Sequence, residues 1–111
     1  MESKTAITAL GALAHATRLE IFRLLVRAGG AGLSVGKIAE ALAIDANGRL
    51  SFHLKELVAA GLVVARQEGR FIYYSTDYAA MNELLRYLTE DCCGGQPCGE
   101  AVDLCHPENC A

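Results

Sequence analysis

The feature that most narrows what this chain can fold into is a change of hydrophobic period at Gly61. Before it, Leu50, Leu54, Leu57 and Val58 recur at i, i+4, i+7 and i+8, the stripe of an amphipathic helix. After it, Leu62-Val63-Val64-Ala65-Arg66 and Arg70-Phe71-Ile72-Tyr73-Tyr74-Ser75 are β-rich runs. Gln67-Glu68-Gly69 separates them, a hairpin signal with glycine at the turn.

The helical period holds on both sides of that hairpin. Ile7, Leu10 and Ala14 predict a first helix over residues 3–14. Thr17 with Glu20 fits a capping box for a second, in which Leu19, Phe22, Leu25 and Val26 continue to about Ala28. Gly29-Gly30 and Gly32 stop it. Ser34 is the expected cap of a short third helix through about Leu42, with Leu33 and Ile38 at the spacing of a hydrophobic staple. Ala43 and Ile44 make a tight connection, and Asp45 is the expected cap of the fourth helix. Asp77 caps a last helix bearing Tyr78, Met81, Leu84, Leu85 and Leu88, which should run out at Gly94-Gly95 before Pro97. The order α-α-α-α-β-β-α, mainly α with a β-hairpin wing, is the outline of a winged helix-turn-helix.

At 111 residues the chain is sized for one core, and 52% apolar with 21% charged residues is a globular balance. The longest apolar stretch, Leu57 to Ala65, is too short for a membrane span and contains Gly61. Met1-Glu2-Ser3-Lys4 leads into helix-like sequence without a secretory apolar core, so a small cytoplasmic domain that does not engage a membrane is expected. The net charge of −3 hides a division. Residues 1–89 hold all ten Lys and Arg against eight Asp and Glu, a balance of +2, and residues 90–111 hold five acids and no Lys or Arg. All five cysteines lie in the last twenty residues. The chain divides into a folded body, residues 1–91, and an acidic cysteine-rich tail, residues 92–111.

A helix-turn-helix lays its second helix in the major groove, so that helix needs one apolar face and one face of polar or cationic side chains. Turning the leucine stripe of the fourth helix inward leaves Asn47, Gly48, Arg49, Ser51, Phe52 and Lys55 mostly outward. Asn suits adenine, Arg suits guanine, and Ser and Lys suit bases or phosphates. Phe52 either meets a thymine methyl or sugar, or folds back onto the body. His53 falls between faces and reads as a packing or phosphate residue before a metal ligand. Arg66 and Arg70, with Gln67, flank the hairpin tip, where arginine reaches phosphate or the adjacent minor groove. Each basic residue alone is better read as a solvated surface charge; their joint placement on a helix and a wing favours double-stranded DNA as partner. No phosphate loop or pair of catalytic carboxylates is present, and Cys105-His106 are neighbours only in sequence, so an enzyme is not expected.

Arg49-Leu50-Ser51-Phe52-His53-Leu54-Lys55-Glu56-Leu57 followed by Ala60-Gly61-Leu62-Val63 resembles the recognition helix of the ArsR/SmtB repressors. Ala16-Thr17-Arg18-Leu19 resembles the start of their second helix, and Glu68-Gly69-Arg70 with Tyr73-Tyr74 resembles their wing. The likeness spans roughly residues 6–90. It implies a homodimer joined through the first and last helices, placing Ile7, Leu10, Met81, Leu84, Leu85 and Leu88 at the interface. It also implies a repressor that leaves its operator when a metal ion or metalloid binds. Packing within one chain is the competing use of that last stripe.

The family's ligand patterns are mostly missing. Residues 33–42 hold no cysteine for the best-known arsenic motif, residues 76–91 hold no His for the zinc pattern, and no N-terminal cysteine could join a cadmium or lead site. Cys92-Cys93-Gly94-Gly95-Gln96-Pro97-Cys98 instead resembles the variant arsenic sensors with three thiolates at the end of the last helix. The chemistry is compatible with that resemblance. Soft thiolates select thiophilic ions, and As(III) or Sb(III), the expected effector, bonds three sulfurs in a pyramid. Neighbours on a helix point about 100° apart, so Cys92 and Cys93 converge only if the helix breaks, where Gly94, Gly95 and Pro97 stand. Methylarsenite, cadmium, zinc with His106 as a further donor, or an oxidant are alternative stimuli for the same thiols. Cys105 and Cys110 are accessory ligands or bystanders. In a cytoplasmic chain all five are expected as thiols.

Overall fold

In the computed structural model, residues 1–95 are described. The elements run α1 (Ser3–Leu13), α2 (Ala16–Ala28), β1 (Leu33–Ser34), α3 (Val35–Leu42), α4 (Gly48–Ala59), β2 (Val63–Glu68), β3 (Phe71–Thr76) and α5 (Tyr78–Leu88), then a 3-10 turn at Cys92–Gly95. The strands form one antiparallel sheet in the order β1-β3-β2. Ile21, Leu25, Ile38, Leu50, Leu54, Leu57, Leu62 and Val63 are the largest fully buried side chains, so the core lies between α2, α3, α4 and the root of the wing. No helix among the described residues is long and apolar enough to cross a membrane.

The order of helices and hairpin is as expected, with one addition. The two-residue β1 pairs Leu33 with Tyr74 and Ser34 with Tyr73, tying the loop after α2 to the wing. Gly32 lets this happen: its φ is +74°, and a Cβ there would sit 2.5 Å from the Tyr74 carbonyl oxygen. The base of the hairpin is closed by Asp77 N–H donating to the Leu62 carbonyl at 2.9 Å. Beside it, the Tyr78 hydroxyl donates to the Val26 carbonyl at 2.8 Å, satisfying an end group of α2. Burial pushes the Tyr78 phenol up from its ordinary value, keeping it a donor.

Ser34 and Asp77 cap α3 and α5, accepting from Lys37 N–H and Ala80 N–H. Two other caps differ from expectation. His15, not Thr17, caps α2, its Nδ1 accepting from Thr17 N–H. Asn47, not Asp45, caps α4, because the left-handed Ala43 that ends α3 is followed by a longer connection than the sequence suggested. The last helix also ends early, at Leu88, well before the glycine pair.

The terminal helices carry the other corrections. α1 turns Ala6, Ala9 and Ala12 into the core and leaves Ile7 66% and Leu10 41% exposed. On α5, Leu85 and Leu88 are exposed, Met81 is partly buried against the core, and Leu84 is buried. Leu84 is therefore part of this chain's own interior and does not belong with the outward stripe, because a helical arc wide enough to include it reaches the core side.

Candidate nucleic-acid interface

The reading face is built from α4. Leu50, His53, Leu54 and Leu57 seat this helix on the body, which leaves Gly48, Arg49, Ser51, Phe52 and Lys55 exposed beside the exposed cap Asn47. Asn47 Oδ1 accepts from the backbone N–H groups of Arg49 at 3.0 Å and Leu50 at 3.3 Å. Its acceptor is thus occupied by the cap and only its amide donor is left to offer, so it cannot make the bidentate adenine contact in this arrangement. Phe52 stays 52% exposed rather than folding into the core, with the Arg18 guanidinium 5.7 Å from its ring centroid. Arg49, Lys55 and Arg70 form no salt bridge among the described residues, leaving two cations on the helix and one at the wing tip.

Arg66 is placed differently. Its Nε donates to Glu68 Oε1 at 2.9 Å, its terminal nitrogens donate to the Ala31 carbonyl at 3.0 Å and the Gly30 carbonyl at 3.5 Å, and the guanidinium lies over Tyr73. It braces the wing against the α2–β1 loop. The sequence grouped it with Arg70 by proximity to the turn, and only the fold separates their roles.

Behind α4 lies a cluster that sequence reasoning undervalued. Arg18 on α2 donates from Nε to His53 Nδ1 at 3.2 Å, and the His15 ring stacks at a tilt, centroids 4.6 Å apart. His53 is therefore a packing residue hydrogen-bonded across helices, not a ligand on the surface. Desolvation first, then the His15, Arg18 and Arg49 charges, hold its pKa below the ordinary value. An open cleft of about 300 Å³ lined by Thr17, Ile44, Asp45, Asn47, Arg49, Leu50 and His53 separates the starts of α2 and α4. In the sequence, the segment Ala16-Thr17-Arg18-Leu19 and the position of His53 between the faces of its helix are the signals for this cluster.

The thiols begin just past α5. Cys92 and Cys93 are exposed, their sulfurs 3.8 Å apart. The backbone is already non-helical there, with positive φ at Asp91 (56°) and Cys93 (54°). Cys93 is a free thiol. Cys92 is held in a disulfide, contrary to the expectation of reduced thiols throughout. Among the described residues no group of three metal-ligating side chains comes together. Cys98, Cys105, Cys110 and His106 lie outside the described residues.

A helix seated by its leucines, presenting cations outward and followed by a basic-tipped hairpin, defines the class: a winged helix-turn-helix. The helix-turn-helix domain family model matches residues 13–66. An ArsR-like transcriptional regulator from Rhodococcus sp. RHA1 is 32% identical with TM-score 0.67, the alignment covering 77% of this chain and 76% of that one. A structure described as a possible transcriptional regulator for arsenical resistance is 30% identical with TM-score 0.61, covering 72% and 79%. The homodimeric winged helix-turn-helix DNA-binding domain of Mb0332 from Mycobacterium bovis is 28% identical with TM-score 0.61, covering 87% and 89%. No curated protein matches. The chain belongs to the ArsR family of DNA-binding transcriptional regulators.

Proposed function

We propose that this chain is a cytoplasmic homodimeric repressor that releases its operator when trivalent arsenic or antimony is captured by Cys92, Cys93 and Cys98. The observation that carries the effector reading is the sulfur pair, two exposed sulfurs 3.8 Å apart on backbone that has already left helical geometry. Reduction of the Cys92 disulfide precedes capture, because only thiolates bind the metalloid. The relative described in terms of arsenical resistance and the homodimeric relative support the effector class and the assembly.

In this reading Ile7, Leu10, Leu85 and Leu88 meet their counterparts in a second copy, with Met81 at the edge. The two α4 helices enter successive major-groove half-sites. Arg49 and Ser51 face base edges, Phe52 an apolar base or sugar edge, and Lys55 and Arg70 phosphates. The thiols follow the seam helix directly, so a metalloid that prefers the DNA-incompetent arrangement shifts the dimer toward it, and binding of the two ligands is reciprocally coupled.

The test is an anisotropy titration of reduced protein against a labelled duplex of its own gene's promoter. Arsenite is expected to weaken binding at least tenfold, within the usual range of such couplings, and Cys98→Ser to abolish the response. Stoichiometric arsenite binding with unchanged DNA affinity overturns the effector reading. The disulfide at Cys92 favours a second reading, oxidant sensing through the same thiols. Release of DNA by peroxide that is lost in Cys92→Ser, with no response to arsenite, would support it.

A further inference from the structure

The cluster behind the reading helix has a feature that DNA contact alone does not require. Arg18 on α2 is a permanent donor and a permanent cation. Its partner nitrogen, His53 Nδ1, must therefore be bare, which fixes His53 as the neutral tautomer protonated on Nε2. His53 is 6% exposed, so it reaches no phosphate itself. It stands one residue from Phe52 and four from Arg49, at the hinge between the seated and exposed faces of α4. The Arg18–His53 bond is the one side-chain hydrogen bond joining α2 to α4 among the described residues.

We propose that His53 is a positioning residue whose neutral ring, by accepting from Arg18, holds the reading helix against α2, and that proton uptake at this junction releases DNA. The inference rests on the DNA-binding reading of α4. A proton on Nδ1 sets two donors face to face and breaks the bond. It also places a further positive charge on a buried ring beside part-buried Arg18 and exposed Arg49. The groups that act on the ring are His15 before α2, Arg18 on α2 and Arg49 on α4, all basic. α1, α3 and β2, which also pack on α4, add none to that set, Arg66 and Glu68 of β2 included. Asp45 lines the same cleft as His53, Glu56 lies three residues on along α4, and neither acid is among them.

The sign follows from linkage. The folded chain resists a proton that the unfolded chain accepts near pH 6.5, so the junction is fully stabilising above that pH and loses its contribution as pH falls through the lowered folded value. This opposes the usual trend, in which a histidine near phosphate gains a proton and binds DNA more tightly in acid.

The test uses the full-length reduced chain, the labelled promoter duplex and His53→Asn, whose amide oxygen accepts from Arg18 without titrating. Between pH 7.5 and 5.5 wild-type affinity should fall about threefold or more relative to the variant, a single linked proton allowing at most tenfold per pH unit. His106 is common to both proteins, and repeating the pair on a His15→Asn background, whose side-chain oxygen can still accept from Thr17 N–H without titrating, leaves His53 as the only difference. Parallel profiles overturn the proposal. Should the variant fail to fold, imidazole nitrogen shifts of the wild type decide: a bare Nδ1 at pH 7.5 and a midpoint below about 6.5 are expected. A protonated Nδ1, or a midpoint above that value, overturns it. A wild type that binds no duplex at pH 7.5 would instead defeat the DNA reading, which the nitrogen shifts do not depend on.

Discussion

α4 and the pair α1/α5 look alike as sequences and are used in opposite ways. α4 buries Leu50, Leu54 and Leu57 within its own subunit and exposes Arg49, Ser51 and Lys55. α1 buries alanines and exposes Ile7 and Leu10, and α5 buries Leu84 and exposes Leu85 and Leu88. A helix with large apolar residues inside is satisfied by its own chain. α1, with small residues inside and large ones outside, leaves that area in water, and α5 does so with Leu85 and Leu88 although it buries Leu84. Such exposed area marks interaction surface when the residues form a contiguous face.

Three experiments would break or sharpen that contrast. The largest effect is expected from Leu54→Ala, which empties a fully buried site and should cost about 2–5 kcal/mol in urea unfolding. A smaller loss would mean α4 is less firmly seated than its burial indicates. Next, Ile7→Glu with Leu88→Glu should weaken self-association roughly a hundredfold by sedimentation equilibrium. Helical content by circular dichroism should remain, since neither side chain is in the core. Loss of the fold with the dimer would erase the distinction between the two regions. The smallest effect belongs to Lys55→Ala, which should lower the slope of log K against log salt by about one and weaken all duplexes alike.

Much of this was legible in local chemistry. Ser34 and Asp77 cap where hydroxyl and carboxylate side chains stand before apolar periods, and the leucine stripe of α4 identified its buried face. Imidazole is an uncommon cap, so the sequence does not point to His15, and Asp45 precedes Asn47 with only the length of the turn deciding between them. Burial of Leu84, the bracing role of Arg66 and the Arg18–His53 bond depend on residues far apart in sequence, which no periodicity encodes. The two-residue β1 was invisible for the same reason: it exists only because Tyr73 and Tyr74 are there to pair with it.

The two hydrogen bonds at the start of α5 have a mechanical consequence. Asp77 is fastened to Leu62 at the hairpin's foot and Tyr78 to Val26 at the end of α2, while among the described residues no such bond to another element holds Leu88. The helix is a lever about 16 Å long, pivoted where the wing and the helix-turn-helix meet. In the proposed mechanism, a push at its cysteine end reaches the foot of the wing and the end of α2 together.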